Sequence, residues 1–141
     1  MIITRTPFRI SFFGGGTDYP IWYEKHQGMT ISTTINKYSY ITIRELPPFF
    51  KFKHRIRYYL KEEVNSLDEI KHPVVRVATK LLKIKKGIEI VHTSDLPARS
   101  GVGSSSTFTV GLLNGLNAFN NKMISKRELA ENAINLEQNI I

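Results

Sequence analysis

The sequence contains no cysteine, which excludes disulfide bonds and thiolate metal sites. It also lacks long apolar runs: none approaches the roughly 20 residues that a membrane-spanning helix needs, and no apolar segment typical of a secretory signal follows Met1. Acidic residues are few, 12 against 20 lysines and arginines, so the net charge is +8. These features predict a cytoplasmic protein that has no membrane partner and favours anionic ligands.

The chain is long enough for one hydrophobic core, with 141 residues of which 41% are hydrophobic. Strand-like patterns come first and helical patterns later, which favours an α+β fold. The expected strands are 2–6, 9–13, 29–35, 38–46, 50–59 and 88–92. A helix is expected over 73–84, packing through Val74, Val77, Ala78, Leu81 and Leu82.

The most informative segment is 96–107, LPARSGVGSSST, which we call the serine loop. It separates the strand at 88–92 from a helical pattern whose apolar face carries Phe108, Leu112, Leu116 and Phe119. The serines then lie on the first helical turn, where unpaired N–H groups and the helix dipole favour an anion. Gly101 and Gly103 let the backbone approach a ligand closely. The segment therefore predicts phosphate binding.

A glycine turn with a serine N-cap would explain the same residues without a ligand. Three serines after two glycines favour phosphate over that alternative. A Walker loop is excluded because no lysine precedes the serines, and the dinucleotide fingerprint is excluded because Ser106 stands where it needs glycine. The pattern predicts a phosphate loop of another kind.

A second candidate is the glycine loop, residues 14–18 with the sequence GGGTD. Its backbone can pass close to a hydroxyl-rich ligand, and the Asp18 carboxylate can accept from two sugar hydroxyls. Arg9, upstream, offers a planar cation suited to phosphate. A glycine turn capped by Asp18 is an equally good interpretation of these residues alone. The presence of the serine loop in the same chain favours ligand binding.

The segment 125–141 has the pattern of an amphipathic helix that begins with a capping box at Ser125 and Glu128. Its apolar face carries Leu129, Ala133, Leu136 and Ile140. Glu137 lies beside that face, where a glutamate is usually solvated. The apolar pattern runs to Ile141 without a C-cap signal, so we expect the helix to continue in a longer protein.

Residues 50–59 alternate between a basic face with Lys51, Lys53, Arg55 and Arg57 and a face with Phe50, Phe52, His54 and Ile56. Basic residues interleaved with aromatics can bind single-stranded nucleic acid. A solvated face, or the positive potential of a small-molecule phosphate site, explains the charges more simply. Nucleic acid is therefore not an expected partner. The histidines at 26, 54, 72 and 92 lack metal-ligand spacing.

The serine loop resembles the GHMP small-molecule kinases, whose signature P-x-x-x-G-[LV]-G-S-S is matched by Pro97, Gly101, Val102, Gly103, Ser104 and Ser105. That family phosphorylates galactose, homoserine, mevalonate and related compounds with ATP and Mg²⁺. The resemblance implies a two-layer sandwich of a mixed or antiparallel sheet and helices with a left-handed βαβ unit. It implies that Pro97 and residues 101–106, including Ser106, surround the ATP phosphates, and that Ser105 and Glu137 hold Mg²⁺.

The N-terminal segment resembles the motif P-G-R-x-N-L-x-G-E-H-T-D-Y of sugar-directed members, with Pro7, Arg9, Gly14, Thr17, Asp18 and Tyr19 in register. Gly15 and Gly16 replace the Glu-His of galactose kinases. The stretch TPFRISFFGGGTDYP is more similar to the heptose 7-phosphate kinases, which phosphorylate an anomeric hydroxyl; fucose and galactose kinases stay open as alternatives. The resemblance implies that Gly16, Thr17 and Asp18 line the sugar and that Arg9 faces the transferred phosphoryl group.

Family members are longer, and their proposed catalytic aspartate and C-terminal domain would follow Ile141. The resemblance therefore implies that residues 1–141 are the N-terminal, ATP-binding domain and lack enzymatic activity on their own. An inactive nucleotide-binding fragment is the alternative function.

Overall fold

The computed structural model describes all 141 residues. The fold is one mixed five-stranded sheet with helices packed on one face. The strands are β1 (Ile2–Phe13), β2 (Ile31–Glu45), β3 (His54–Arg57), β4 (Lys61–Val64) and β5 (Ile88–Ser94), ordered β1-β2-β5-β3-β4. The helices are α1 (Pro20–Tyr23), α2 (Pro73–Leu81), α3 (Ser104–Phe119) and α4 (Lys126–Asn135). A 3-10 turn spans Leu67–Glu69 and a π-helical turn spans Leu136–Ile140. The α+β prediction is confirmed, and no helix is sufficiently long and apolar to cross a membrane.

β1 and β2 are each one long strand where the sequence predicted two shorter ones. Their antiparallel ladder continues past irregularities between Pro7 and Arg9 and between Ser11 and Phe13. Two extra residues of β2 leave the ladder opposite Phe8, and one extra residue of β1, Phe12, leaves it at the second irregularity. Such bulges bend a strand without ending it. The two strands therefore form a ribbon that carries the glycine loop at its far end.

β5 lies in the middle of the sheet, antiparallel to β2 and parallel to β3. Parallel neighbours need a crossover, and the chain makes it through β4 and α2. β5 then ends at Ser94 and leads through the serine loop into α3. The end of the central strand β5 thereby fixes the position at which the serine loop begins.

α3 lies close against the sheet because two glycines face β1 and β2. A Cβ atom on Gly111 would stand 2.8 Å from Thr6 Oγ1, and one on Gly115 would stand 2.7 Å from Ile43 Cδ1. The predicted apolar face of α3 is confirmed in the core, whose buried members are Ile41, Ile43, Ile56, Ile70, Val75, Ala78, Ile84, Ile88, Ile90, Phe108, Leu112, Leu113, Leu116, Ala133 and Leu136.

The predicted face of α2 is confirmed for Ala78, which is buried, and for Val74, Val77 and Leu82, which pack against the core. Leu81 is wrong, because it is 51% exposed, and the buried Val75 was not predicted. The helix also ends earlier than predicted, because Lys83 adopts a left-handed φ of 52° that stops it well before Gly87.

The predicted strand at 50–59 is mostly wrong, because only His54–Arg57 is extended. Phe50 and Phe52 lie over the guanidinium of Arg55, 4.7 and 4.8 Å from it, and not beside His54 and Ile56. Residues 50–53 form turns and bends, so the alternation that places side chains on strand faces does not extend to them. The mainly charged strand β4 was not predicted.

The basic face predicted for this strand is partly neutralised within the sheet. Arg55 pairs with Glu63 at 3.1 Å and with Glu89 at 3.0 Å, and Glu89 also pairs with Arg44. Burial alone would raise the pKa of the Glu89 carboxyl, but the hydrogen bonds from the two arginines outweigh it and lower that pKa. The charge of Arg55 is thus used to join three strands.

Stability should fall as the pH drops below about 6.5, because burial lowers the pKa values of His54, His72 and His92 from 6.5. The folded protein then binds fewer protons than the unfolded chain, so the free energy of unfolding decreases with falling pH until the folded-state pKa values are passed. The urea midpoint should be lower at about pH 5.5 than at about pH 8. His54→Leu should reduce that difference and the exposed His26→Leu should not; equal midpoints at both pH values would contradict the prediction.

Candidate active site

The serine loop presents a row of left-handed residues. Arg99, Gly101 and Gly103 have φ angles of 62°, 75° and 75°, and they alternate with residues of negative φ. Such alternation turns successive N–H groups toward a common concavity that binds anions. Gly103 is the N-cap of α3, and no side chain caps the helix. The serine N-cap is therefore wrong, and the helix N-terminus is open to acceptor oxygens of a ligand.

Glu137 faces the serine loop and does not lie on a solvated flank. Its Oε1 accepts hydrogen bonds from Ser105 Oγ at 2.8 Å and Thr109 Oγ1 at 2.9 Å. Its Oε2 accepts from Ser106 Oγ at 3.0 Å. The structure thus brings Ser105 and Glu137 together. The Ser106 hydroxyl also binds Glu137, and its contact with the ATP phosphates stays a prediction.

The π-helical turn at the end of α4 aims Glu137 at the serine loop. α4 begins as predicted, with Ser125 Oγ accepting from Glu128 N at 3.1 Å. The turn then widens over Leu136–Ile140, a distortion that often re-aims side chains at functional sites. Ile140 consequently leaves the predicted apolar face and is 46% exposed. The neighbouring Gln138 donates from Nε2 to the carbonyl oxygen of Asp18 at 3.3 Å.

Arg9 lies against the serine loop. Its backbone N–H donates to Val102 O at 3.1 Å, and its guanidinium nitrogens lie 3.7 Å from the Cβ position of Gly103. Its Nη1 also donates to the Ser11 hydroxyl. A permanent cation therefore stands beside the open end of α3.

The glycine loop is held by its own polar groups. Asp18 Oδ1 accepts a hydrogen bond from Gly16 N at 3.0 Å, and Oδ2 makes no hydrogen bond. This is the turn capped by Asp18 that was one of the two interpretations of the sequence. The Thr17 hydroxyl donates to Gly14 O at 2.7 Å and accepts from Met29 N at 3.1 Å. The Thr17 side chain therefore fixes the loop, and its contact with a sugar stays a prediction. Asp18 and Gly16 remain available to a ligand.

A cavity of about 410 Å³ opens beside the serine loop. Ser104 and Ser105 line one side of it, and the rings of Tyr58, His72 and Phe108 line another. The His72 ring centroid lies 4.9 Å from both the Tyr58 and the Phe108 centroids. Aromatic rings at this separation contact one another favourably. Sequence reasoning missed this wall because its residues come from separate elements and form no short motif.

A buried carboxylate supports the cavity wall from behind. Glu62 accepts hydrogen bonds from Tyr58 Oη at 2.7 Å, Lys71 N at 2.6 Å and His72 N at 3.1 Å. Burial would raise the pKa of the Glu62 carboxyl, but these three donors outweigh it and lower that pKa. Burial and the bond to Glu62 raise the pKa of Tyr58 to about 12. The network holds the Tyr58 ring through its hydroxyl and the backbone of His72 through its N–H.

The side-chain oxygen atoms of Glu137 and Ser105 are suitable ligands for Mg²⁺. They are hard oxygen ligands 2.8 Å apart, and Mg²⁺ commonly binds proteins through one or two carboxylates while phosphates and waters complete its shell. No three His, Cys, Asp or Glu side chains are grouped so that they could hold a metal ion. An ion at Glu137 would therefore take most of its ligands from a phosphate compound and water.

Residues 72–141, which include the serine loop and Glu137, match the family model described as GHMP kinases N terminal domain. Residues 72–141 are a GHMP kinase N-terminal domain. The match begins at α2 and includes α3 and α4, so the GHMP kinase signature lies on the elements that build the candidate site.

Two curated relatives are similar to nearly the whole of this chain. The D-glycero-alpha-D-manno-heptose 7-phosphate kinase of Campylobacter jejuni is 28% identical over 97% of this chain and 43% of its own length. The homoserine kinase of Clostridium beijerinckii is 30% identical over 97% of this chain and 41% of its own. The chain spans less than half the length of either relative.

A solved structure confirms the GHMP kinase fold. The crystal structure of a D-glycero-D-manno-heptose 1-phosphate kinase from Bacteroides thetaiotaomicron superposes with a TM-score of 0.83 at 22% identity, covering 99% of this chain and 48% of that one. At this identity the likeness concerns the fold.

Proposed function

We propose that the chain is the nucleotide-binding part of a kinase that transfers a phosphoryl group from ATP to the anomeric hydroxyl of a sugar, heptose 7-phosphate. The observation that carries the proposal is the uncapped N-terminus of α3, preceded by the left-handed residues Arg99, Gly101 and Gly103 and faced by Glu137. Phosphoryl transfer depends mainly on positioning and charge neutralisation, and these are the properties that this arrangement supplies.

Each part of the nucleotide has a place in the proposed complex. The adenine ring would enter the cavity lined by Tyr58, His72 and Phe108, and the phosphates would lie on the N–H groups of the serine loop. A magnesium ion held by Ser105 and Glu137 would neutralise charge on the phosphates. Arg9 would face the transferred group from the opposite side of the loop.

The sugar would lie between Arg9 and the glycine loop. Asp18 Oδ2 is free to accept from a hydroxyl, and the open space at Gly15 and Gly16 gives room for a sugar larger than a hexose. The similarity to the Campylobacter jejuni kinase supports a heptose phosphate. The hydroxyl oxygen would attack the terminal phosphorus as the bond to ADP breaks, and its proton would pass to the aspartate that the family resemblance places after Ile141.

Glu137→Gln should weaken Mg²⁺ binding without unfolding the chain, because a charged ligand becomes neutral. Isothermal titration calorimetry should show ATP binding to the wild type, and Mg²⁺ binding to the ATP complex should be about 10-fold or more weaker in the variant. The exposed Glu131→Gln in α4 is the matched control and should bind Mg²⁺ as the wild type does. Failure of the wild type to bind ATP would contradict the proposal, and unchanged Mg²⁺ affinity in Glu137→Gln would remove the metal role.

Heptose 7-phosphate should be phosphorylated faster than galactose, fucose or homoserine by an active kinase that contains this chain. The physical reason is the absence of polar side chains at Gly15 and Gly16 together with the excess of basic residues, which favours a substrate that already carries phosphate. A competition assay with all four acceptors measures the preference. If a free sugar or homoserine reacts fastest, the substrate assignment is wrong and the kinase assignment stands.

A further inference from the structure

We propose that Thr109 is a positioning residue that holds Glu137 in place for Mg²⁺, an inference that rests on the proposed function. Thr109 lies on α3 one turn beyond Ser105 and is 0% exposed. Its Oγ1 donates to Glu137 Oε1 at 2.9 Å, the same oxygen that accepts from Ser105 at 2.8 Å. Because it is buried, Thr109 cannot touch a nucleotide or an ion and acts only through the carboxylate.

The hydrogen bond of Thr109 differs from that of another buried helical threonine in this chain. A threonine inside a helix usually donates to the carbonyl four residues earlier. Thr79 in α2 does so: it is also 0% exposed, and its hydroxyl donates to Val75 O at 2.8 Å and Arg76 O at 3.1 Å. Thr109 instead directs its single donor across to the π-helical turn. The comparison separates an internal helix bond from one that orients a neighbour.

The geometry gives this bond a specific task. A carboxylate oxygen has about two lone-pair positions, and Thr109 occupies one on Oε1 from the buried side. Ser105, the other residue expected to bind the ion, donates to the second position on Oε1, and Ser106 donates to Oε2. Thr109 therefore fixes the orientation of the carboxylate, and an ion would take the place of the Ser105 hydrogen bond. Removing such an orienting group typically weakens metal affinity about 10- to 100-fold.

The test is a calorimetric titration of Mg²⁺ into each protein saturated with a non-hydrolysable ATP analogue. Thr109→Val keeps the shape of the side chain and removes its donor, so Mg²⁺ should bind about 10- to 100-fold more weakly. Thr109→Ser retains the donor and should restore the wild-type affinity, and Thr79→Val should match the wild type. Affinity for the analogue without metal should be equal in all four proteins, which a merely structural defect would not allow.

Equal Mg²⁺ affinity in Thr109→Val and the wild type overturns the inference, as does equal weakening in Thr109→Val and Thr79→Val. If Thr109→Val does not fold, Thr109→Ala compared with Thr79→Ala decides the same question. Absence of Mg²⁺ binding in the wild type overturns both this inference and the proposed metal role. Weak binding in Glu137→Gln together with normal binding in Thr109→Val overturns this inference alone.

Discussion

Gly103→Val should lower the affinity for ATP by about 10- to 100-fold. Gly103 has a φ of 75° and is the N-cap of α3. A β-branched residue avoids this region at a cost of about 1–3 kcal/mol, and 1.4 kcal/mol corresponds to a factor of ten in affinity. The loop would relieve the strain by turning its N–H groups away from the phosphate position. Calorimetric titration of ATP measures the loss.

Gly103→Asn is the matched variant, because asparagine tolerates positive φ better than valine does. It should retain more ATP affinity than Gly103→Val. The free energy of unfolding of both variants should lie within about 1–3 kcal/mol of the wild-type value. A folded Gly103→Val protein with wild-type affinity would show that phosphate does not bind at the serine loop.

Gly14→Ala should lower the free energy of unfolding by about 3 kcal/mol, which combines the costs of positive φ and of overpacking. Gly14 has a φ of 84°, and a Cβ atom there would overlap the carbonyl oxygen of Met29. That oxygen belongs to the backbone just before β2 and cannot move as a side chain would. The ribbon between β1 and β2 would therefore open at the glycine loop. Urea denaturation followed by circular dichroism measures the change.

The two following glycines make a graded control for this prediction. Gly15 has open space at its Cβ position and no positive φ, so Gly15→Ala should be neutral or slightly stabilising. Gly16 has open space and a φ of 95°, so Gly16→Ala should cost about 1 kcal/mol. Equal stabilities for all three variants would show that the close approach to Met29 does not constrain the loop.

The periodic parts of the fold could be predicted from the sequence. The face of α3 that carries Leu112 and Leu116 was predicted because long helices repeat their apolar positions every three or four residues. The short strand β4 could not be predicted in this way, since Lys61 and Glu63 take part in ion pairs and carry no β-like signal. The crossover between β3 and β5 depends on long-range pairing that no local pattern encodes.

The parts of the candidate site that adjacent residues form could be predicted from the sequence. The parts that depend on tertiary contacts could not. The left-handed glycines and the open helix end follow from residues 101–106, which are adjacent in the chain. The pairing of Ser105 with Glu137 was implied only by the family resemblance. The roles of Thr109 and of the Glu62 network were missed, because each depends on which side chains a tertiary contact brings within hydrogen-bond distance.

Neighbouring residues of the π-helical turn reach two different loops: Glu137 binds the serine loop, and Gln138 binds the carbonyl oxygen of Asp18. One peptide bond separates these contacts, so the turn cannot shift toward one loop without changing its bond to the other. If a ligand at one loop shifts the turn and changes the affinity at the other loop by some factor, the second ligand must change the affinity at the first loop by that same factor.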